Sequence, residues 1–324
     1  MQEIYCALIS VKLNKMNKKL AAFFSVLILL IFVAYIIFDS ARPEGFSKSG
    51  DSTVAKDTLS DSWKVSTVLK VKEGFLKAVT VSSDGKIYLG GDSFVSCYDK
   101  DLRLIWNLKT PYPVTSLSNY GDSIFASTQE LILIISSGGE LKNEWGPFED
   151  KGIITSVASN SSNVAFADAG NRIIFIIDKT GSVRRMIGQN DGQFIVPSPY
   201  FDVALSPENS LFVANTGHRR VETRTIEGNL KSYFGEPGMA PEAFCGCCNP
   251  AHFALFKDGF VTAEKGINRI KIMSKSGEFV EYVSSKNKFA PSVPLDIACI
   301  DGKTIYAANP ADSKLYIFTR KLLT

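Results

Sequence analysis

Short apolar segments alternate with polar turns along the chain from Trp63 to its C-terminal end. The apolar segments are rich in β-branched and aromatic residues, and Gly, Asn, Asp and Ser separate them, which is the pattern of strands joined by turns. Helical periodicity is almost absent from this region. The pattern therefore predicts an all-β domain over residues 62–324.

One block of this pattern recurs at intervals of about 44 residues. Each copy has an apolar strand, a polar turn, a second strand that ends in a small residue, a loop, and a third strand before a Gly turn. The small residues are Ala126, Ala167, Ala214, Ala263 and Ala308. A four-strand unit at this period is typical of a propeller blade, and six copies are present, so we expect a six-bladed β-propeller.

The first and last strands of the domain complement each other. The sixth copy ends with its third strand, LYIFTR, at residues 315–320, whereas the strand 63–71 precedes the first copy and belongs to no blade. We expect this N-terminal strand to supply the missing outer strand of the sixth blade. Such pairing closes the ring and removes an exposed sheet edge.

The repeats resemble those of the NHL-repeat propeller family. The segments that carry the resemblance are ADAGNRIIFI (167–176), ANTGHRRVETR (214–224), AEKGINRIKI (263–272) and ANPADSKLYIF (308–318). Two links between repeats also resemble the Gly-rich connectors of that family, IGQNDGQFIVP (187–197) and FGEPGMAPEAF (234–244). The resemblance implies the fold. Because the family includes binding platforms, sensor domains and a few enzymes, it implies no single function.

An uncharged apolar run precedes the β domain. Residues 20–38 read LAAFFSVLILLIFVAYIIF, with lysines before them and an acid after them. As a helix this run is about 28 Å long, close to the hydrocarbon thickness of a bilayer. It predicts a transmembrane signal-anchor, with residues 1–19 in the cytoplasm, 39–61 as a flexible tether, and the propeller in the periplasm or outside the cell. A cleaved signal peptide is the alternative, and Met16 is an alternative start to Met1.

Charge outside the N-terminal segment is balanced. The net charge of +3 arises from lysines in the first twenty residues, and the remainder of the chain carries equal numbers of acidic and basic residues. A surface that binds nucleic acid needs a net basic face, so we expect no nucleic-acid partner. The expected partners are the membrane, through residues 20–38, and a protein on the propeller face.

Cysteines cluster at Cys245, Cys247 and Cys248, and His252 follows them. One interpretation is a structural disulfide, either Cys245–Cys248 or Cys247–Cys248, in an oxidising compartment. A second is a Cys3His site for a metal ion or cluster. A third is a redox-active dithiol whose pKa is lowered by nearby positive charge. The loop FCGCCNP (244–250) also resembles a segment of bacterial NHL-like proteins of unassigned function.

Propeller topology places the loop that enters each blade and the loop between its second and third strands on the same face. These loops are longer and chemically more varied than the Gly/Asp turns of the opposite face. We therefore expect a ligand or a partner to bind there, near the central channel. The candidate residues are Asp168, Arg172, Asn215, His218, Arg219, Arg220, Glu264, Lys265, Arg269 and Asn309.

Several of these candidates have a structural alternative. The arginines can grip an anionic ligand through guanidinium forks. Alternatively each is the structural residue of its repeat and forms a salt bridge with an acid of the next blade, as we expect for Arg172 and Arg269. His252 lies in a predicted inner strand, where a packed, hydrogen-bonded histidine is the alternative to a ligand. Cys97 and Cys299 lie in predicted strands and are expected to be buried.

The leading hypothesis is a binding scaffold that docks a protein or a ligand on the loop-rich face. The first alternative is a metal- or redox-linked protein that uses the cysteine cluster in electron transfer or metal handling. The second is a metal-dependent hydrolase or lyase whose ion is held by Asp168, Asn215, Glu264 and Asn309. No nucleophile elbow, zinc-protease motif, phosphate loop or dinucleotide fingerprint occurs, so no catalytic residue is assigned.

Overall fold

A computed structural model describes the chain over residues 18–40, 61–188, 192–257, 259–285, 288–290 and 293–321. In the first of these ranges, side chains are described only for residues 23–34. The predicted cytoplasmic segment (1–19) and tether (39–61) lie almost wholly outside the described residues. The chain divides into two units, Met1–Thr58 and Leu59–Thr324.

The first unit contains the helix α1 (Lys18–Ser40). It covers the predicted apolar run, which contains neither Pro nor Gly to interrupt a helix. Over the residues that the structure describes, no helix has both the length and the apolar composition required to span a membrane. The structure therefore does not support the prediction that residues 20–38 form a transmembrane helix.

The second unit consists of six four-stranded antiparallel sheets, one for each predicted blade. Blade 1 contains β2 (Leu76–Val81), β3 (Ile87–Gly91), β4 (Phe94–Tyr98) and β5 (Leu104–Lys109). Blade 2 contains β6 (Ser116–Tyr120), β7 (Ser123–Ser127), β8 (Ile132–Ser136) and β9 (Leu141–Trp145). Blade 3 contains β10 (Ile154–Ser159), β11 (Asn163–Asp168), β12 (Ile173–Asp178) and β13 (Val183–Ile187).

The other three blades repeat this arrangement. Blade 4 contains β14 (Asp202–Leu205), β15 (Leu211–Asn215), β16 (Arg220–Arg224) and β17 (Leu230–Phe234). Blade 5 contains β18 (His252–Phe256), β19 (Gly259–Ala263), β20 (Ile270–Ser274) and β21 (Phe279–Ser284). Blade 6 contains β22 (Asp296–Cys299), β23 (Thr304–Asn309), β24 (Lys314–Arg320) and the N-terminal strand β1 (Trp63–Lys70). The six-bladed prediction is confirmed.

Pairing of the first and last strands closes the ring, as predicted. β1 runs antiparallel to β24, with Trp63 opposite Arg320 and Lys70 opposite Lys314. The Trp63 side chain is 1% exposed and packs edge-on against Phe256 of blade 5. The closing strand is therefore fixed both by its backbone ladder and by the core.

The core is divided among the junctions between blades. Six hydrophobic clusters are present in the described part of the chain, and each is built from residues of two adjacent blades. The small residues that close the second strands lie in these clusters and are fully buried, namely Ala126, Ala167, Ala214, Ala263 and Ala308. A small side chain there allows the next blade to approach closely, which explains the repeated position in the sequence.

Candidate functional site: the connector face

The connectors and the loops between second and third strands lie together on one face. Backbone hydrogen bonds join them in blade 3, where Ala169 donates to Ile153 over 2.8 Å, and in blade 4, where Gly217 donates to Ile195 over 2.8 Å. The connector face, as defined here, comprises the connectors 71–75, 110–115, 146–153, 192–201, 235–251 and 293–295 with the adjoining loops. The topological prediction for this face is confirmed.

A glycine with positive φ directly follows the outer strand of three blades, at Gly146, Gly188 and Gly235. At Gly235 φ is 98°, and an added Cβ atom would lie 2.5 Å from the Phe244 ring and 2.8 Å from the Arg219 carbonyl oxygen. At Gly188 the corresponding contacts are with Phe194 and with the carbonyl of Arg172. Because only glycine tolerates both this φ and this close approach, these glycines determine where the three connectors turn.

A buried polar side chain at the end of the second strand holds each of three connectors. Asp168 accepts the backbone N–H of Ile153 at 2.9 Å, and Asn215 accepts that of Ile195 at 3.1 Å. Glu264, just after the second strand of blade 5, accepts the N–H of Cys245 at 3.0 Å. The three side chains thus satisfy backbone donors of the connectors, which have no ladder partner of their own.

In blade 5 the connector is also held by a buried cluster of three charged side chains. The Glu264 carboxylate lies 2.6 Å from Nε of Arg269 and 2.9 Å from Nζ of Lys271, and all three side chains are buried. The two cations also donate to connector carbonyls, Arg269 to Ala243 at 2.7 Å and Lys271 to Pro241 at 2.8 Å. Burial lowers the pKa of Lys271 to about 8, although the adjacent Glu264 charge opposes this. The ion cluster therefore holds the connector in two ways: its acid accepts a backbone N–H group, and its two cations donate to backbone carbonyls.

Blade 4 contains a related cluster. Glu222 is fully buried and accepts hydrogen bonds from Asn215 at 2.9 Å, Arg220 at 2.8 Å and Arg224 at 2.7 Å. Arg224 also donates to the Gln193 side chain in the connector. Here too a buried acid organises the groups that hold a connector.

The arginines of these clusters differ from the sequence prediction in one respect. Arg269 was expected to pair with an acid of the next blade, but Glu264 belongs to its own blade, and Arg220 likewise pairs within its own strand with Glu222. Arg172 is exposed at φ 59° and forms no ion pair with a described residue. The close spacing of acid and base along one blade explains the difference, because both reach the same connector.

Sequence reasoning missed Glu222, Arg224 and Lys271. Each is a charged residue in a third strand where the strand pattern predicts core, as in Ile270-Lys271-Ile272. A charge at such a position is almost never buried without a partner. A charged residue at a predicted core position was therefore the sequence feature that could have identified these three residues.

The remaining candidates are spread over the face. Asn309 is buried and accepts the N–H of Ala311 within its own loop. His218 ends a short 3-10 helix (Thr216–His218), and Arg219, at φ 54°, donates to the carbonyl of Gly246 in the cysteine loop. Lys265 lies with its Nζ 4.5 Å from the Tyr200 ring centre. The structure thus brings Arg219 and Lys265 towards the cysteine loop and leaves Asn309 in blade 6.

The cysteine loop is held at its flanks and open at its centre. The Asn249 side chain donates to the carbonyls of Cys245 and Lys265 and accepts the N–H of Lys265 at 2.9 Å. Cys247 is exposed and Cys248 is 2% exposed, and their Sγ atoms lie 3.1 Å apart. All described cysteines are free thiols.

The thiols and His252 do not form the Cys3His set considered from the sequence. His252 lies beside Asp202 and Asp296 instead. Across the described residues, no group of three or more His, Cys, Asp or Glu side chains is arranged to hold a metal ion. Of the other cysteines, Cys97 is buried as expected, whereas Cys299 is only partly buried and lines the channel.

The central channel contains a cavity of about 170 Å³ lined by the innermost strands of all six blades. Polar side chains of these strands bind the backbone of the next blade. Ser156 accepts the N–H of Val203 at 3.1 Å, Asp202 that of Phe253 at 2.9 Å, and Asp296 that of Val79 at 2.8 Å. The channel lining is therefore also a belt of contacts between blades.

His252 lies between two of these acids. Its Nδ1 atom is 3.7 Å from a carboxylate oxygen of Asp202, in blade 4, and 3.7 Å from one of Asp296, in blade 6. Burial disfavours the imidazolium, but the negative charges of the adjacent Asp202 and Asp296 outweigh burial and raise the pKa of His252. Burial raises the pKa of Asp296 to about 6, against the opposing His252 charge. The charge of His252 is therefore coupled to that of Asp296 across the central channel.

Comparison with known proteins supports the fold alone. No protein-family model and no curated protein matches the chain. Among solved structures it is similar to virginiamycin B lyase from Staphylococcus aureus, with 18% identity, a TM-score of 0.55, and coverage of 80% of this chain and 100% of that one. It is also similar to a streptogramin B lyase, with 13% identity, a TM-score of 0.58, and coverage of 80% of this chain and 98% of that one. A third similar structure is the Neurospora crassa Pan2 WD40 domain, with 10% identity, a TM-score of 0.54, and coverage of 82% of this chain and 98% of that one. These likenesses show a β-propeller, and NHL membership stays a resemblance.

The two histidines of the chain are expected to have different pKa values, with that of His252 the higher. Burial, with the Arg220 charge, lowers the pKa of His218, whereas that of His252 is raised. An NMR pH titration of both imidazoles, assigned with a His218→Gln variant, measures this. Asp296→Asn is expected to lower the pKa of His252 and leave that of His218 unchanged.

The raised pKa of His252 also makes the free energy of unfolding depend on pH. A folded-state pKa above the unfolded value, about 6.5 for histidine, means that His252 stabilises the fold below that pH. This contribution is lost as the pH rises through the folded-state pKa. A His252 that titrates at or below His218 contradicts the arrangement with the two aspartates.

Proposed function

We propose that the protein is an exported binding scaffold, held at a membrane, whose connector face docks a partner protein. The observation that carries the proposal is a set of large apolar side chains, one from each of five successive connectors. They are Phe75, Tyr112, Ile153, Ile195 and Met239, with exposed fractions of 67%, 46%, 39%, 48% and 61%. All five belong to the connector face.

The proposal is supported by the chemistry of these side chains. Aromatic residues and Met are enriched in protein interfaces, and a few such anchors supply most of the binding energy. Single exposed apolar residues need no explanation, but one on each of five successive connectors of the same face forms a pattern that a solvated surface does not require. A partner with apolar side chains that covers the ring would remove them from water.

The rigidity of the connectors adds to this argument. Asp168, Asn215 and Glu264 hold the backbone of the connectors that present Ile153, Ile195 and Met239. A surface fixed before binding loses little conformational entropy when a partner arrives. The buried polar residues of the connector face thus serve binding indirectly, by holding the anchors in place.

The hydrolase or lyase alternative has less support. Its proposed metal ligands were Asp168, Asn215, Glu264 and Asn309, and these side chains are buried and hydrogen-bonded to connector or loop backbone. The lyases among the structural neighbours share only the fold with this chain, and one fold hosts many functions. We therefore do not propose this activity.

Attachment to a membrane is the second part of the proposal. It rests on the nineteen uncharged residues of the N-terminal run and on the lysines before it. In the described part of α1, the side chains from Phe23 to Val33 are exposed, with Ile28 at 66%. A helix with apolar side chains exposed along this length gains free energy by entering lipid. The same orientation would put the propeller outside the cytoplasm.

Site-specific photo-cross-linking tests the docking surface. A photo-reactive residue in place of Met239 or Phe75, in the full chain in cells, is expected to give one discrete adduct with an exported protein. Val280, which is 52% exposed on the outer strand β21, is the matched control and is expected to give none. Ile195→Ser is expected to reduce the Met239 adduct about tenfold, the loss of one anchor. Equal adducts from Val280, or none from both connector positions, would contradict the proposal.

Membrane fractionation tests the attachment separately. The full chain is expected to stay in the membrane pellet through an alkaline carbonate wash. Leu29→Arg with Phe32→Arg is expected to release it, because each charge costs about 3 kcal/mol near the centre of a bilayer. Leu29→Ala with Phe32→Ala is the control that keeps the chain in the pellet. A wild-type chain that is washed off the membrane overturns this part of the proposal.

A further inference from the structure

The thiol pair of the cysteine loop is arranged as an attacking and a resolving group. Cys247 is exposed, whereas Cys248 is 2% exposed, so only the first is accessible to a second molecule. Their Sγ atoms lie 3.1 Å apart, and a movement of about 1 Å brings them to the length of a disulfide bond. An accessible thiol with a second thiol beside it is the arrangement of redox-sensing cysteine pairs.

The electrostatic surroundings separate the two thiols further. A hydrogen bond with Cys248 and the charges of Lys265 and Arg219 lower the pKa of Cys247. Burial raises the pKa of Cys248. Both cations are held near the loop, Lys265 over the Tyr200 ring and Arg219 by its bond to Gly246. The exposed sulfur is thus the better nucleophile, because the thiolate is the reactive form.

The hydrogen bonds that hold the cysteine loop do not involve the sulfur atoms of Cys247 and Cys248. Cys245 is bound through its backbone to Glu264 and Asn249, and Asn249 is bound to Lys265, so the flanks are fixed without any sulfur. The loop would therefore keep its shape while the thiols change oxidation state. Such a pair is suited to reversible chemistry rather than to stapling the fold.

We propose that Cys247 and Cys248 form a reversible thiol–disulfide switch that exchanges with an organic disulfide at the connector face. The Cys247 thiolate attacks one sulfur of the disulfide, forms a mixed disulfide and releases the first thiolate. The Cys248 sulfur, after losing its proton to solvent, attacks Sγ of Cys247 and releases the second. The protein pair loses two electrons and the organic disulfide gains them, and the two protons of the pair end on the two released thiols. This activity is independent of the proposed docking function.

Adjacent cysteines make the oxidised form easy to reduce. Consecutive Cα atoms are about 3.8 Å apart, whereas disulfides usually join Cα atoms about 4.4–6.8 Å apart. Strained disulfides are the labile and regulatory ones. The oxidised pair is thus expected to return to the dithiol in millimolar reduced glutathione.

Stoichiometry with Ellman's reagent tests the switch. The full chain, carrying Cys6→Ser and kept with a chelator, is expected to release two thionitrobenzoate ions rapidly and to retain no adduct, as judged by intact mass. Cys248→Ser is expected to release one rapidly and to retain the adduct. Cys247→Ser is expected to react at least tenfold more slowly, and Cys245→Ser to behave as the parent chain.

Two outcomes of the thiol measurement would contradict the switch. Retention of the adduct in the parent chain, or two rapid releases from Cys247→Ser, would overturn the proposal. An oxidised pair that survives glutathione would overturn its reversibility and leave a structural disulfide. Circular dichroism of each variant confirms that the propeller is folded. A failure here leaves the cross-linking result for the connector anchors unaffected.

Discussion

The connectors of this propeller depend on polar side chains that are buried at the ends of the second strands. A connector leaves the outer edge of one blade and enters the inner edge of the next, so its backbone has no ladder in which to pair. Asp168, Asn215 and Glu264 accept the unpaired N–H groups. In blade 5 two buried cations, Arg269 and Lys271, lie beside the accepting carboxylate and also hold connector carbonyls. Without these contacts the connectors would bury unsatisfied donors and acceptors.

The proposed docking surface depends on this arrangement. The same contacts determine where the apolar anchors are presented and where the cysteine loop lies, because both belong to connectors. The side chains around the channel make similar contacts, because a polar group of one inner strand accepts a backbone N–H group from the inner strand of the next blade. His252 lies among these side chains. Structure and candidate chemistry therefore share residues, and a substitution that loosens a connector affects both.

Much of the fold could be predicted because it depends on local pattern. The buried alanines mark the blades, and the unpaired strand at Trp63 predicted the closure. The roles of the candidate site residues could not be predicted in the same way. Glu264 occupies a repeat position that suggests a ligand site, but its partners, Cys245 and Lys271, are identified only by the folded backbone. His252 likewise meets Asp202 and Asp296, each more than forty positions away in the sequence. The proximity of Cys247 and Cys248 follows from the sequence, whereas the difference in their exposure does not.

The central claim is that buried charge at the end of a second strand holds the connector face, and Glu264→Gln tests it most directly. The variant keeps the shape of the side chain but leaves Arg269 and Lys271 without a counter-ion, which typically costs about 3–5 kcal/mol. Denaturant unfolding with amide hydrogen exchange measures both stability and the connector, and Glu236→Gln, at an exposed position of the same connector, is the control. The account predicts a lower unfolding midpoint and faster exchange at residues 243–245 for Glu264→Gln alone. Unchanged stability and exchange in that variant would contradict it.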